Sequence, residues 1–157
     1  MVILVFVFVG TSTNGAGAFG ASLNLLTDGF SDDAYAQISS SIGSFKTLRN
    51  TIKFSTGLLN ERIEISGRLS KINSDGYVDR AFSNLNSYFL QAAYKEDKTL
   101  IKALQFGGHE ITYQSWYGVE AEQLKTDRTA NAYTYENEVD DYKQDHTQLL
   151  WNQKITA

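Results

Sequence analysis

The 157-residue chain contains no cysteine and no proline, and only two histidines. Without cysteine it can form neither a disulfide nor a thiolate metal site, and its redox compartment leaves no mark. The lack of proline suits long uninterrupted strands, because proline cannot donate to a ladder. His109 and His146 fall in or beside predicted strands with no second ligand at useful spacing, whereas a metal site needs three or four ligands. No metal or cofactor is therefore expected. Basic residues are outnumbered, 14 Lys and Arg against 18 Asp and Glu, for a net charge of −4. Without clustered Lys and Arg to neutralise phosphates, nucleic acid is not an expected partner. Long apolar runs are missing too. The one continuous run, Val2 to Val9, falls far short of the about 20 residues of a spanning helix. No Lys or Arg precedes Lys46 to supply the basic start of a secretory signal. Its β-branched content fits a buried strand, and a chain that begins in mid-domain fits it as well.

What is present is folded-protein composition, 42% hydrophobic and 13% aromatic, patterned with period two rather than 3.6. From Ala34 onward six strands are predicted: Ala34 to Ser44, Lys46 to Leu59, Arg62 to Asn73, Asn86 to Lys95, Lys98 to Tyr113, and Tyr142 to Ile155. The third sets Ile63, Ile65 and Leu69 against Glu64, Ser66 and Arg68. In the fourth, Tyr88, Leu90, Ala92 and Tyr94 share a side; in the fifth, Lys102 interrupts a Leu100, Leu104 and Phe106 face. Tight turns are expected at Asn60-Glu61 and Glu96-Asp97, and long polar loops over 74–85 and 114–141. Short turns on one edge and long loops on the other are the pattern of a transmembrane β-barrel wall. At roughly 3.3 Å per residue the fifth strand would reach about 53 Å, far beyond the common strand of about 5 or 6 residues in globular sheets.

Gly15, Gly17 and Gly20 match the dinucleotide-binding G-x-G-x-x-G. That mechanism needs a helix opened by the third glycine inside a βαβ unit. Here Ala21 to Thr27 is followed at once by Asp28-Gly29, which leaves room for a strand and little for a helix. A Gly-rich turn entering a short strand is the expectation.

No triad, carboxylate pair or metal cluster stands out, so an enzyme is not expected. The 114–141 loop carries Glu120, Glu122, Asp127, Glu136, Glu138, Asp140 and Asp141 against Lys125 and Arg128. Its spacing matches no EF-hand. The same loop holds Trp116, Tyr117, Tyr133 and Tyr135, and aromatics concentrated in a polar loop mark the place to look for ligand contact.

The run from Gly10 to Thr27 (GTSTNGAGAFGASLNLLT) resembles the end of the plug domain of TonB-dependent outer-membrane receptors, where a small-residue turn and a short strand precede the first barrel strand. Ser66 to Ala81 (SGRLSKINSDGYVDRA) is similar to the third barrel strand and its loop, and Tyr88 to Tyr94 and Tyr142 to Asn152 resemble later strands. The resemblance implies that residues 1–30 are the C-terminal end of a plug, with 1–9 unaccounted for, and that 31–157 are the N-terminal part of the barrel. It implies an all-β antiparallel up-and-down meander of about six strands, part of a large transmembrane barrel in a Gram-negative outer membrane. The partners would be outer-membrane lipid, a small-molecule nutrient such as a metal chelate or siderophore, and the TonB complex. The chain departs from that family in showing no TonB box, little of a plug and about six of about 22 strands, which implies an internal fragment. A soluble β-sheet binding module of adhesin or lectin type is the alternative.

Overall fold

The computed structural model describes residues 2–6, 22–26 and 29–155. The chain divides into two units, Met1–Phe30 and Ser31–Ala157. In the first, strands β1 (Val2–Phe6) and β2 (Ser22–Leu26) pair antiparallel, from Val2 opposite Leu26 to Phe6 opposite Ser22. The three glycines of the G-x-G-x-x-G run lie outside the described residues. The segment after them is a strand where a phosphate-binding loop requires a helix, and its antiparallel pairing is not the parallel crossover of a βαβ unit.

The second unit is all-β: β3 (Ala34–Ile42), β4 (Leu48–Thr56), β5 (Ile63–Ser74), β6 (Ser83–Glu96), β7 (Thr99–Tyr113) and β8 (Val139–Gln153), with one short helix, α1 (Ala121–Thr126). The strands form one open sheet in chain order, every neighbouring pair antiparallel. β6, β7 and β8 run for 14, 15 and 15 residues. Strict alternation lets the register sort side chains into two faces. One face carries cross-strand rows such as Ile38, Ile52, Leu69 and Tyr88, or Ile63, Tyr94, Ile101 and Trp151. The other carries Ser55, Ser66 and Gln91 in one row, with Glu64 and Arg68 flanking it.

On β5 and the adjoining part of β4 the burial of the two faces is the reverse of a water-soluble sheet. Ile63, Ile65 and Leu69 are 42%, 45% and 46% exposed, whereas Glu64 between them is 1% exposed. Thr51, Ser55 and Gln91, on the same side as Glu64, are also buried. On β6 and β7 that side is less purely polar. It holds Ala93 and Leu104, and Phe106 packs between Phe89 and a stacked His146. Lys102 lies in that row, so the interrupted face expected for the fifth strand is the inner one. The outer apolar positions of β7 are Ile101 and Ala103 toward the short-turn edge and Ile111 and Tyr113 toward the long-loop edge.

Gly67 shows how the outer face is packed. It lies between Phe54 and Leu90 in one row, and a Cβ there would stand 2.8 Å from atoms of both side chains. The absence of a side chain on β5 lets the two large groups close over it.

The Asn60-Glu61 and Asp97-Lys98 turns lie at one edge of the sheet; the short 43–47 connection and the loops over 75–82 and 114–138 lie at the other, as the order of the strands requires. Asn60 and Glu61 both adopt left-handed φ, 50° and 60°, and make the β4–β5 turn where expected. The strand before it ends at Thr56 rather than Leu59, because Gly57 turns left-handed (φ 65°) and gives its N–H to Ser55 Oγ. The second tight turn is Asp97-Lys98, one residue later than expected. Glu96 stays in the ladder opposite Thr99 and pairs with Arg62 at 3.1 Å. β6 starts at Ser83 and β8 at Val139, three residues before the predicted starts, and β8 ends at Gln153, leaving Ile155 beyond it. At the long-loop edge Lys46 meets Asp75 at 2.6 Å, and that hydrogen bond, with the carboxylate's charge, holds the ammonium above its usual pKa.

Candidate functional site

The β7–β8 connection is built on a polar anchor. Asn131, buried, donates through Nδ2 to the carbonyls of Asp79 (2.8 Å) and Gln114 (3.0 Å) and accepts from the N–H of Tyr133 (3.0 Å). The Asp79 N–H donates to the Thr129 carbonyl at 2.8 Å, so the β5–β6 and β7–β8 loops are tied at two points. Arg80 adds a third by donating from its guanidinium to the Tyr133 carbonyl at 2.6 Å, with its Cζ 5.9 Å from the Tyr113 ring centre. Tyr113, buried at the end of β7, donates its hydroxyl to the Tyr135 carbonyl at 2.5 Å.

On this base three of the four aromatic candidates come together. Trp116 stacks on Tyr117 with ring centres 4.3 Å apart, and Tyr117 stacks on Tyr133 at 5.3 Å. Trp116 is 71% exposed, so an aromatic surface remains open to solvent. Tyr135 is exposed, and no ring contact joins it to the other three among the described residues; its backbone, held by Tyr113 and by Glu138, is what the loop uses. Desolvation among the rings raises the Tyr133 phenol above its usual pKa, with Tyr117 and Glu138 adding to the effect. The loop's acids are mostly solvated: Glu122 pairs with Lys125 across one turn of α1, and Asp127 caps the N–H and hydroxyl of Thr129. Stacked rings beside carboxylates can hold a flat or sugar-like group by its face and accept hydrogen bonds from its edge.

Asn131, Arg80 and Tyr113 organise the site and were not among the expected residues. Nothing in their local sequence marks them, since their partners lie in another loop. The two histidines play no part here. His109 Nε2 is 2.6 Å from Asp141 on the outer face, and His146 stacks on Phe106 on the inner one.

Arg80→Ala is expected to loosen the platform without unfolding the sheet, costing at most the about 1.5 to 3 kcal/mol of one charged hydrogen bond. Tryptophan fluorescence should report greater exposure of Trp116, and an unchanged spectrum would show that the ring stack stands without the β5–β6 tie.

Compared with protein-family models, with curated proteins and with solved structures, the chain matches none of them.

Proposed function

We propose that residues 31–157 form part of the wall of a TonB-dependent outer-membrane receptor, with the 114–141 loop contributing contacts to a nutrient ligand such as a metal chelate, and with residues 1–30 the end of its plug. The observation that carries this is the reversed sheet: the aliphatic face of β5 is exposed while Glu64, Ser55 and Gln91 opposite it are buried. In water that arrangement forgoes the burial that stabilises most folds; in a bilayer it puts aliphatic groups against lipid and polar groups toward a lumen. Strands of 14 and 15 residues suit a tilted wall whose outer ends project from the membrane. Tyr94 and Trp151, in one row near the short-turn edge, suit an interfacial girdle. Both sheet edges, β3 and β8, carry unpaired backbone groups that lipid cannot satisfy, so in a bilayer each edge must pair with a further strand, from the rest of the barrel or, in the reconstituted chain, from another copy. On this proposal the short turns face the periplasm and the aromatic platform faces outward.

Among the described residues no helix is long and apolar enough to cross a membrane, which leaves strands as the spanning elements of this proposal. Expressed alone, the chain should need detergent; a soluble, monodisperse monomer with a cooperative unfolding transition would favour the binding module instead. Spin labels placed singly at 65 and 69 in the bilayer-reconstituted chain should collide with a lipid-soluble quencher, and labels at 66 and 68, on the side of Glu64, with a water-soluble one. The opposite pattern would mean the faces are exchanged.

A further inference from the structure

The exposed face of the sheet changes character abruptly along one row. Ile52, Leu69 and Tyr88 stand side by side on β4, β5 and β6. Two residues farther toward the long-loop edge the next row reads Asn50, Lys71, Asn86, His109 and Lys143 across five strands. Two steps along a strand are about 6.7 Å, so a line of amides and cations lies one row beyond the aliphatic groups. The two rows line a shallow groove of about 400 Å³.

The charges of the groove are unevenly satisfied. Asp145 accepts a 2.6 Å hydrogen bond from the Tyr88 hydroxyl, which crosses over Gly107 to reach it, and lies 3.9 Å from Lys143. A Cβ at Gly107 would stand 2.5 Å from Asp145 Oδ1, so the crossing depends on that glycine. Asp141 is taken by His109. Lys71, at the centre of the row and exposed, has no ion-pair partner among the described residues.

We infer that this groove seats a phosphate-bearing lipid, its headgroup on Lys71 between Asn50 and Asn86, and its acyl chain along Ile52 and Leu69. An ammonium flanked by amide donors suits a phosphate oxygen, and the neighbouring aliphatic row suits hydrocarbon. The inference rests on the proposal that this face meets a bilayer.

The test uses the full chain, reconstituted from detergent with vesicles of phosphatidylcholine alone or of phosphatidylcholine doped with phosphatidic acid. The chain should partition into both and favour the doped vesicles. Lys98→Gln, at the other edge and outside the groove, should cut that preference about fivefold at most, the roughly 1 kcal/mol that any lysine near an anionic surface contributes, whereas Lys71→Gln, which also loses a direct bond to phosphate, should cut it more than about tenfold. Equal partition into both vesicles would overturn the groove and leave the membrane wall standing. Failure to enter either would overturn the wall and the groove with it. A preference that survives in Lys71→Gln with Lys143→Gln, or that inorganic phosphate abolishes at equal concentration, would also overturn the lipid site.

Discussion

Arginine at position 65 or 69 is expected to abolish bilayer insertion, while arginine at position 66 is expected to be tolerated. Ile65 and Leu69 occupy the exposed aliphatic face and Ser66 the opposite one. On a lipid-facing strand an arginine near the midplane costs about 2 to 4 kcal/mol, a large fraction of the 5 to 15 kcal/mol that holds an ordinary fold. A side chain added toward a water-filled lumen meets no such penalty. The measurement is the fraction of chain folded into phosphatidylcholine vesicles, read by protection from protease. If Ile65→Arg and Ser66→Arg folded equally well, neither face would be lipid-facing, and the soluble binding module would account better for the sheet.

The contrast between these neighbouring positions was legible in the sequence because β5 alternates cleanly from Ile63 to Leu69, and a period of two assigns every side chain to a face once one is assigned. The Asn60-Glu61 turn was legible for a similar reason: both residues are polar, and they separate two alternating runs. Strand ends were harder to see. Asn84 pairs with Asn73, and Asp140 and Asp141 lie opposite Thr112 and Ile111, so polar rows that look like loop are part of the ladder. Ladder hydrogen bonds are made by backbone groups and do not depend on side-chain polarity. Helix α1 went unseen because its six residues bury nothing and carry no apolar stripe. In the loop, aromatic content pointed to Trp116, Tyr117 and Tyr133, but Arg80 and Asn131 act across two loops and leave no local signal.

Loss of the Glu64 carboxylate is expected to be the most destabilising change on the inner face. Its Oε1 accepts from Ser55 Oγ at 2.6 Å and from the N–H of Ser31 at 3.2 Å. Ser55 in turn accepts from the N–H of Gly57, and the Leu58 N–H reaches the Asp32 carbonyl at 3.4 Å. One buried carboxylate therefore ties the entry segment to the β4–β5 corner. Removing it leaves buried donors without acceptors, and hydrogen bonds to charged groups contribute about 1.5 to 3 kcal/mol each. Glu64→Ala should lower the urea midpoint of the detergent-folded chain by an amount matching about 2 to 4 kcal/mol. Ser55→Ala should cost less, and the double substitution less than the sum, because the two side chains share a bond. Additive losses would show that Glu64 and Ser55 act separately, and an unchanged midpoint in Glu64→Ala would mean that the corner is held by its backbone bonds alone.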